Sequence, residues 1–351
     1  MSETRFSRRS LIGGGAGAAF AVGLARVLPA GAQATPEAGG SPAAADVADG
    51  VFPVTISHVY GETTFEAAPQ RVVTVSWINQ DAAIALGTIP VGMPFVSWGG
   101  DGEGYLPWTR EAIGDNTPPT LYDDSNGIPF EQIIELAPDA IIGVYSGMTQ
   151  DEYDTLAKIA PTVAYPSVAF GTPWEETTRV IGQILGKAAS AETLVGETIA
   201  TVEAAGAQYP QLQGKTFAYG SPSQNGMYVY TTVDARVELL THLGLTPSPF
   251  VQGLPVGDDQ TAFYVDISPE QFGSIDADIL ILWFGTQDEA DAAAKMPTVQ
   301  AIPAVKSGAY APIIGETNVM AVSAPSPLSI PYIIETYVPQ LAAAADKVPA
   351  S

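Results

Sequence analysis

The sequence predicts an α/β protein of two lobes alike in architecture, each built on a parallel sheet, with a long helix between them. Three observations lead there. Short β-branched runs alternate with helical stretches, the pattern of a parallel sheet with crossover helices. Residues 173–209 carry apolar side chains at helical spacing over a length unusual for a helix inside one lobe. An internal echo also relates the two halves: Glu131-Gln132 precedes Asp139-Ala140-Ile141-Ile142 as Glu270-Gln271 precedes Asp278-Ile279-Leu280-Ile281, at a constant offset of 139 residues.

The elements follow in order. Val54 to Glu66 reads as a hairpin turning near Gly61-Glu62, and Arg71 to Ser76 as a buried strand. Asn79 to Leu86 is a short helix ended by Gly87, Pro90 to Met93 a strand, Glu131 to Leu136 a helix stopped before Pro138, and Ala140 to Val144 a third strand. From Pro173, the residues Val180, Ile181, Ile184, Leu185, Leu194, Val195, Ile199 and Val202 mark one face of the connector. Roughly 35 residues at about 1.5 Å each span on the order of 50 Å if unbroken. After Gly214 the rhythm resumes, with a strand at Lys215 to Tyr219, a hairpin around Met227 to Thr231, a helix at Val233 to Leu243 and a strand at Ile279 to Leu282. The domain reading is therefore 51–172 for the first lobe, 173–209 for the connecting helix and 210–351 for the second lobe.

Ahead of the lobes, Ser7-Arg8-Arg9-Ser10-Leu11-Ile12 precedes a Gly/Ala/Leu-rich run ending in Ala32-Gln33-Ala34. Residues 1–34 thus read as a twin-arginine signal peptide cleaved before Thr35, and 35–50 as a flexible linker. With 38 acidic against 14 basic residues and a net charge of −24, the chain repels phosphate backbones and anionic lipid, which excludes nucleic-acid binding. The absence of cysteine excludes disulfides, thiolate metal sites, Cys nucleophiles and a lipidated N-terminal cysteine. The two histidines, His58 and His242, stand apart in a hairpin and a helix, so direct coordination of a bare ion is the weaker reading.

A family resemblance rests on an ordered set of segments. Pro69-Gln70-Arg71-Val72-Val73, the helix end through Gly87, Val91-Gly92, Phe130 to Ile142 and Ile159-Ala160-Pro161-Thr162-Val163 make up its first half. Leu239 to Leu245, Ile267-Ser268-Pro269-Glu270, Asp276-Ala277-Asp278 and Ile302 to Gly308 make up its second. Over residues 52–340 the chain resembles the iron-siderophore substrate-binding proteins of ABC importers. The resemblance implies two Rossmann-like lobes joined by a single long α-helix, with the ligand cleft between lobes. It also implies a binding protein without catalysis or resident cofactor, a ferric siderophore as ligand, and docking of Glu131 and Glu270 into basic pockets of the importer permease. Such a protein is a monomer, exported to the periplasm or cell surface. As first-turn helix acids, both glutamates also have a purely structural explanation in the helix dipole.

Open α/β sheets bind ligands at the C-terminal ends of their strands. That rule selects Trp77, Tyr145, Trp283 and Phe284, with Tyr145 and Phe284 again 139 residues apart. Trp98 and Trp108 lie in or beside a Gly-rich insertion, 97–110, suited to a loop over the cleft. Tyr230 is a further aromatic candidate. Arg110 and Arg236 are scarce cations able to hydrogen-bond the oxygens of a chelate. A haem or cobalamin-type ligand is the alternative, with His58 or His242 as a conceivable axial ligand. An exported α/β hydrolase is more distant, since neither G-x-S-x-G nor G-x-x-x-x-G-K-[ST] occurs.

Overall fold

Parallel pairing of short β-branched runs organises both halves in the computed structural model, which describes residues 48–256 and 263–349. The leader read at 1–34 and most of the linker at 35–50 lie outside the described residues. The first lobe comprises β1 (Val54–His58), β2 (Gly61–Phe65), β3 (Val72–Thr74), α1 (Asn79–Ala85), β4 (Gly92–Pro94), α2 (Pro107–Ile113), β5 (Thr120–Tyr122), α3 (Phe130–Glu135), β6 (Ala140–Ile142), α4 (Gln150–Leu156) and β7 (Thr162–Val163). Its sheet has the order β5-β4-β3-β6-β7 with every pair parallel, so the chain winds outward from β3 in one direction and from β6 in the other. β1 and β2 form the separate hairpin, with Gly61 opening β2 rather than sitting in the turn. Alternation divides the core, with Val72, Ala140 and Ile142 packing on one side of the sheet and Val73, Val75 and Ile141 on the other.

The stretch read as one helix is two, α5 (Trp174–Ile184) and α6 (Ala188–Ala207). The break is a Schellman stop. Gly186 adopts φ 66°, its N–H bonds the Gln183 carbonyl at 3.1 Å, and the Lys187 N–H bonds the Gly182 carbonyl at 2.7 Å. The two helices fold back closely on each other, because a Cβ on Gly182 would stand 2.4 Å from that of Ala191. The single helix that links the lobes is therefore α6. Its Ala191 belongs to the first lobe's core, while Val195 and Val202 belong to the second's.

The second lobe comprises β8 (Thr216–Pro222), β9 (Met227–Tyr230), α7 (Ala235–His242), β10 (Thr246–Pro247), α8 (Pro249–Gln252), β11 (Tyr264–Ile267), β12 (Ile279–Phe284), α9 (Gln287–Ala294), α10 (Pro297–Gln300), α11 (Pro303–Ser307), β13 (Tyr310–Ile314), α12 (Glu316–Ser323) and α13 (Ser329–Ala345). Its sheet runs β11-β9-β8-β12-β13, with β8, β12 and β13 parallel, β9 antiparallel to both neighbours, and β10 pairing β8. The echo between the halves has a physical basis here. Asp139 accepts hydrogen bonds from the Gln70 and Arg71 N–H groups at the approach to β3, and Asp278 accepts from the Thr216 N–H at the start of β8. In each lobe an acid just before one central strand anchors the beginning of its parallel neighbour.

The lobes also share core. Leu106, Trp108 and Trp174 of the first half pack into the cluster that holds Val319, Met320, Ile330 and Ile333 of the second.

Candidate ligand-binding cleft

The parallel strands of both sheets point their C-terminal ends at the inter-lobe space, where a cavity of about 400 Å³ opens. The first lobe contributes the segments after β3 (Ser76, Trp77, Ile78), β4 (Phe95, Val96, Ser97) and β5 (Asp123, Asp124, Ser125), with Gln80, Trp98, Leu106 and Trp108. The second contributes Arg236 at the start of α7, Trp283 near the end of β12, and one side of α12.

The turn after β3 is strained to make this wall. Ser76 and Ile78 take φ 63° and 54°, a conformation costly for a β-branched residue. Buried Asn79 holds it there. Its amide nitrogen donates to the carbonyls of Val75, Trp77 and Tyr145, and its oxygen accepts from the Tyr145 N–H, all within 3.0 Å. The result is Trp77 with 47% of its surface exposed at the cleft. Phe95 and Trp98 are similarly open, and Trp98 meets Trp283 edge-on across the cleft at 6.1 Å between ring centroids.

Arg236 is the cation of this site. Its side chain is 11% exposed, donates to Asp234 at 2.7 Å and lies 4.2 Å above the Tyr230 ring, whose hydroxyl accepts from the Trp283 indole at 2.8 Å. Burial opposes its charge, but Asp234 and the surrounding phenols outweigh that and hold it protonated. Burial pushes the nearby Tyr145 hydroxyl up to about 12, so it stays a neutral phenol. Two buried polar atoms at the cavity have no protein partner, Nε of Arg236 and the amide oxygen of Gln80. The rest of the lining is largely aromatic and apolar, with Ser76, Ser97, Ser125, Ser323 and the Asp123-Asp124 pair as its other polar groups.

The cleft is tied above and below. At its floor the fully buried Asp81 accepts from the Trp108 indole (2.8 Å) and the Thr109 hydroxyl (2.8 Å) of the first lobe and from the Ser326 hydroxyl (2.7 Å) of the second. At its rim the Gly-rich loop reaches α12: the Gly99 N–H donates to Glu316 at 3.2 Å, and the Thr317 hydroxyl donates to the Gly99 carbonyl at 2.8 Å. Gly99 has φ 78°, and a Cβ there would stand 2.9–3.0 Å from Met320 and the Glu316 backbone.

Of the sequence candidates, Trp77, Trp98, Trp108, Arg236 and Trp283 come together on the cavity surface, with Trp108 nearly buried. Tyr230 and Tyr145 form a buried tier behind it around Arg236. Two candidates are corrected. Arg110 lies in α2, not in a loop, and is absent from the lining because Asp101 and Glu103 of the preceding loop engage it in ion pairs and its guanidinium stacks on Tyr105. Phe284 faces away from the cleft: Ile279, Ile281 and Trp283 share one face of β12, while Leu280, Leu282 and Phe284 pack into the core on the other. Sequence reasoning missed Phe95, Gln80, the Asp123-Asp124 pair and all of α12. Phe95 follows a strand that had been identified, so reading outward from it as from the others would have found it.

Neither histidine lines the cavity. His58 is buried in the hairpin against Thr63 and Tyr153. His242 does not stand alone: its Nε2 lies 3.0 Å from Glu175, and with Glu238 these make the one group of metal-competent side chains among the described residues, outside the cleft lining. Glu131 is exposed in the first turn of α3, and Glu270 is exposed in the first turn of the 3₁₀ segment Pro269–Ser274, its carboxyl held below the usual range by the Ser268 hydroxyl. Each follows a strand that runs toward the cleft, so both stand at the cleft-facing ends of their lobes.

Comparison with known proteins agrees with this architecture. PiaA of Streptococcus pneumoniae TIGR4, crystallised in complex with ferrichrome, superposes with a TM-score of 0.78 at 33% identity, covering 84% of this chain and 99% of PiaA. A periplasmic solute binding protein of Mycobacterium smegmatis superposes at 0.71 with 29% identity, covering 83% of this chain and 98% of the other. The Fe(3+) dicitrate-binding periplasmic protein FecB of Escherichia coli K12 is 26% identical over 202 residues, 55% of this chain and 62% of FecB, so the chain spans under two thirds of that curated relative. A family model described as "Periplasmic binding protein" matches residues 100–310, and the chain belongs to that family.

Proposed function

We propose that this protein captures a ferric siderophore in the inter-lobe cleft and delivers it to the permease of an ABC importer. The observation that carries the reading is the lining itself. Four tryptophans and Phe95 surround about 400 Å³ with one buried guanidinium and the Asp123-Asp124 pair, and no histidine lines it. Such a site suits a guest that brings its metal already chelated. Aromatic faces cover the ligand's organic flanks, while the Arg236 fork donates to chelate oxygens that carry negative charge. The kinship to PiaA, a protein crystallised with ferrichrome, supports the same substrate class. A haem or corrinoid ligand is disfavoured because both histidines are remote from the lining.

Glu131 and Glu270 serve as the permease contacts. One exposed carboxylate per lobe lets basic pockets on the permease read lobe spacing, through charge-assisted pairs that weaken with salt. Export through the twin-arginine leader at residues 7–12, with cleavage before Thr35, brings the folded protein to the outer face of the cytoplasmic membrane.

The test is a titration of the mature chain with ferrichrome, following tryptophan emission. Four of the five tryptophans border the cavity, so a bound iron chelate must quench strongly and saturably at micromolar concentration or below. Saturable quenching by haem but not by ferric chelates overturns the assignment, as does the absence of saturation with ferrichrome and ferric dicitrate alike.

A further inference from the structure

Glu175 is a buried acid outside the ligand cleft. It sits in the first turn of α5, beside Trp174, which is buried in the second lobe's core, and its own side chain is 8% exposed. One carboxylate oxygen meets Nε2 of His242 at 3.0 Å, while the other is buried with no hydrogen-bond partner. Across from it, Glu238 and His242 are four residues apart on α7 and therefore share one face of that helix. The ligand atoms of all three lie within 4.8 Å of one another. Glu176 and Glu203 add negative charge nearby, and among the described residues no lysine or arginine forms an ion pair with any of these acids.

A His–Glu ion pair accounts for one oxygen of Glu175 but not for the orphaned one, nor for a second carboxylate crowded against it. We infer that Glu175, Glu238 and His242 form a binding site for a divalent transition-metal ion, separate from the ligand cleft, which joins α5 to α7 of the second lobe. Two carboxylates and one imidazole make a donor set suited to Zn²⁺, with Zn–O and Zn–N near 2.0–2.2 Å. Glu238 and His242 are only half-buried, so water can reach their side of the group. A second cavity, about 520 Å³, is lined by Glu238 and by the neighbouring acid Glu176. The ion would bridge the start of α5 and the second lobe, close to where the chain passes between lobes.

The experiment uses the full mature chain, free of affinity tags, stripped with EDTA and kept free of siderophore. Calorimetric titration with Zn²⁺ is expected to give one saturable site with micromolar or tighter Kd and a raised thermal midpoint. Co²⁺ is expected to give visible bands that Zn²⁺ abolishes. Glu238→Gln and His242→Gln, both at half-buried positions, are each expected to weaken Zn²⁺ at least tenfold while ferrichrome binding persists. Asp288→Asn, at an exposed helix start remote in sequence, serves as the control and leaves Zn²⁺ binding unchanged. Absence of a saturable site in the folded parent overturns the inference, as does Zn²⁺ binding by both Gln variants at parental affinity. Because the probe is the metal alone, failure here is distinct from failure of siderophore binding.

Discussion

Replacing Arg236 with lysine isolates the fork from the charge. Lysine keeps a cation beside buried Asp234, so no uncompensated charge is created, and the fold should survive with a loss of about 1–2 kcal/mol from poorer stacking on Tyr230. A single ammonium cannot pair with Asp234 and also reach into the cavity with the spread of a guanidinium. A hydrogen bond from a charged group contributes about 1.5–3 kcal/mol, and each 1.4 kcal/mol is tenfold in affinity. Ferrichrome Kd should therefore rise by about 10–100-fold in Arg236→Lys, measured by tryptophan quenching. A parallel thermal melt checks that the variant is folded. A folded variant that binds within threefold of the parent would refute the role of Arg236 as the chelate-oxygen donor.

Three further outcomes are expected. Gly99→Ala forces a Cβ against Met320 and the Glu316 backbone at a positive φ, at a cost of about 1–2 kcal/mol, which should detach the loop from α12 and speed ligand dissociation in stopped flow; an unchanged off-rate counts against the strap. Asp81→Ala strands the buried Trp108 indole N–H and breaks the bond to Ser326, costing about 3 kcal/mol and lowering the thermal midpoint by roughly 6–12 °C, whereas a shift below 2 °C would show that the floor is not held there. Glu131→Gln with Glu270→Gln should leave ferrichrome affinity intact but abolish delivery in reconstituted proteoliposomes; full transport by the double variant would remove both residues from the docking surface.

Most of the first lobe was legible because its elements alternate sharply in pattern and its turns carry glycine or proline. The 139-residue echo was legible because it records a repeated task, an acid pinning the start of a neighbouring strand. The connector was misjudged at its middle. Apolar spacing continues through Ile184 and Leu185 to Leu194 and Val195, and that continuity hid the stop written as Leu185-Gly186-Lys187, although glycine followed by lysine at a helix end is a capping signal in its own right. Phe284 was misassigned because β12 runs to its last residue, so alternation, not position after a strand, decides which way it faces. Arg110 was misassigned because its counter-ions, Asp101 and Glu103, sit on the loop just ahead of its helix, α2. α12 left little trace, since Val319–Ser323 are all buried and a helix covered all round shows no amphipathic period. His242 looked isolated because Glu175 is 67 residues away along the chain, and only the fold brings them together.

The hydrogen bond from Ser326 to Asp81, set in an apolar junction that both halves share, has a consequence for traffic through the cleft. A tie at the base limits how far the two lobes spread, which leaves passage at the rim to the short stretch around Gly99 that bonds α12. Guests of equal chelate chemistry but different girth should then be sorted by how quickly they slip past that flap, so selectivity would appear first in association rates and only afterwards in equilibrium affinity.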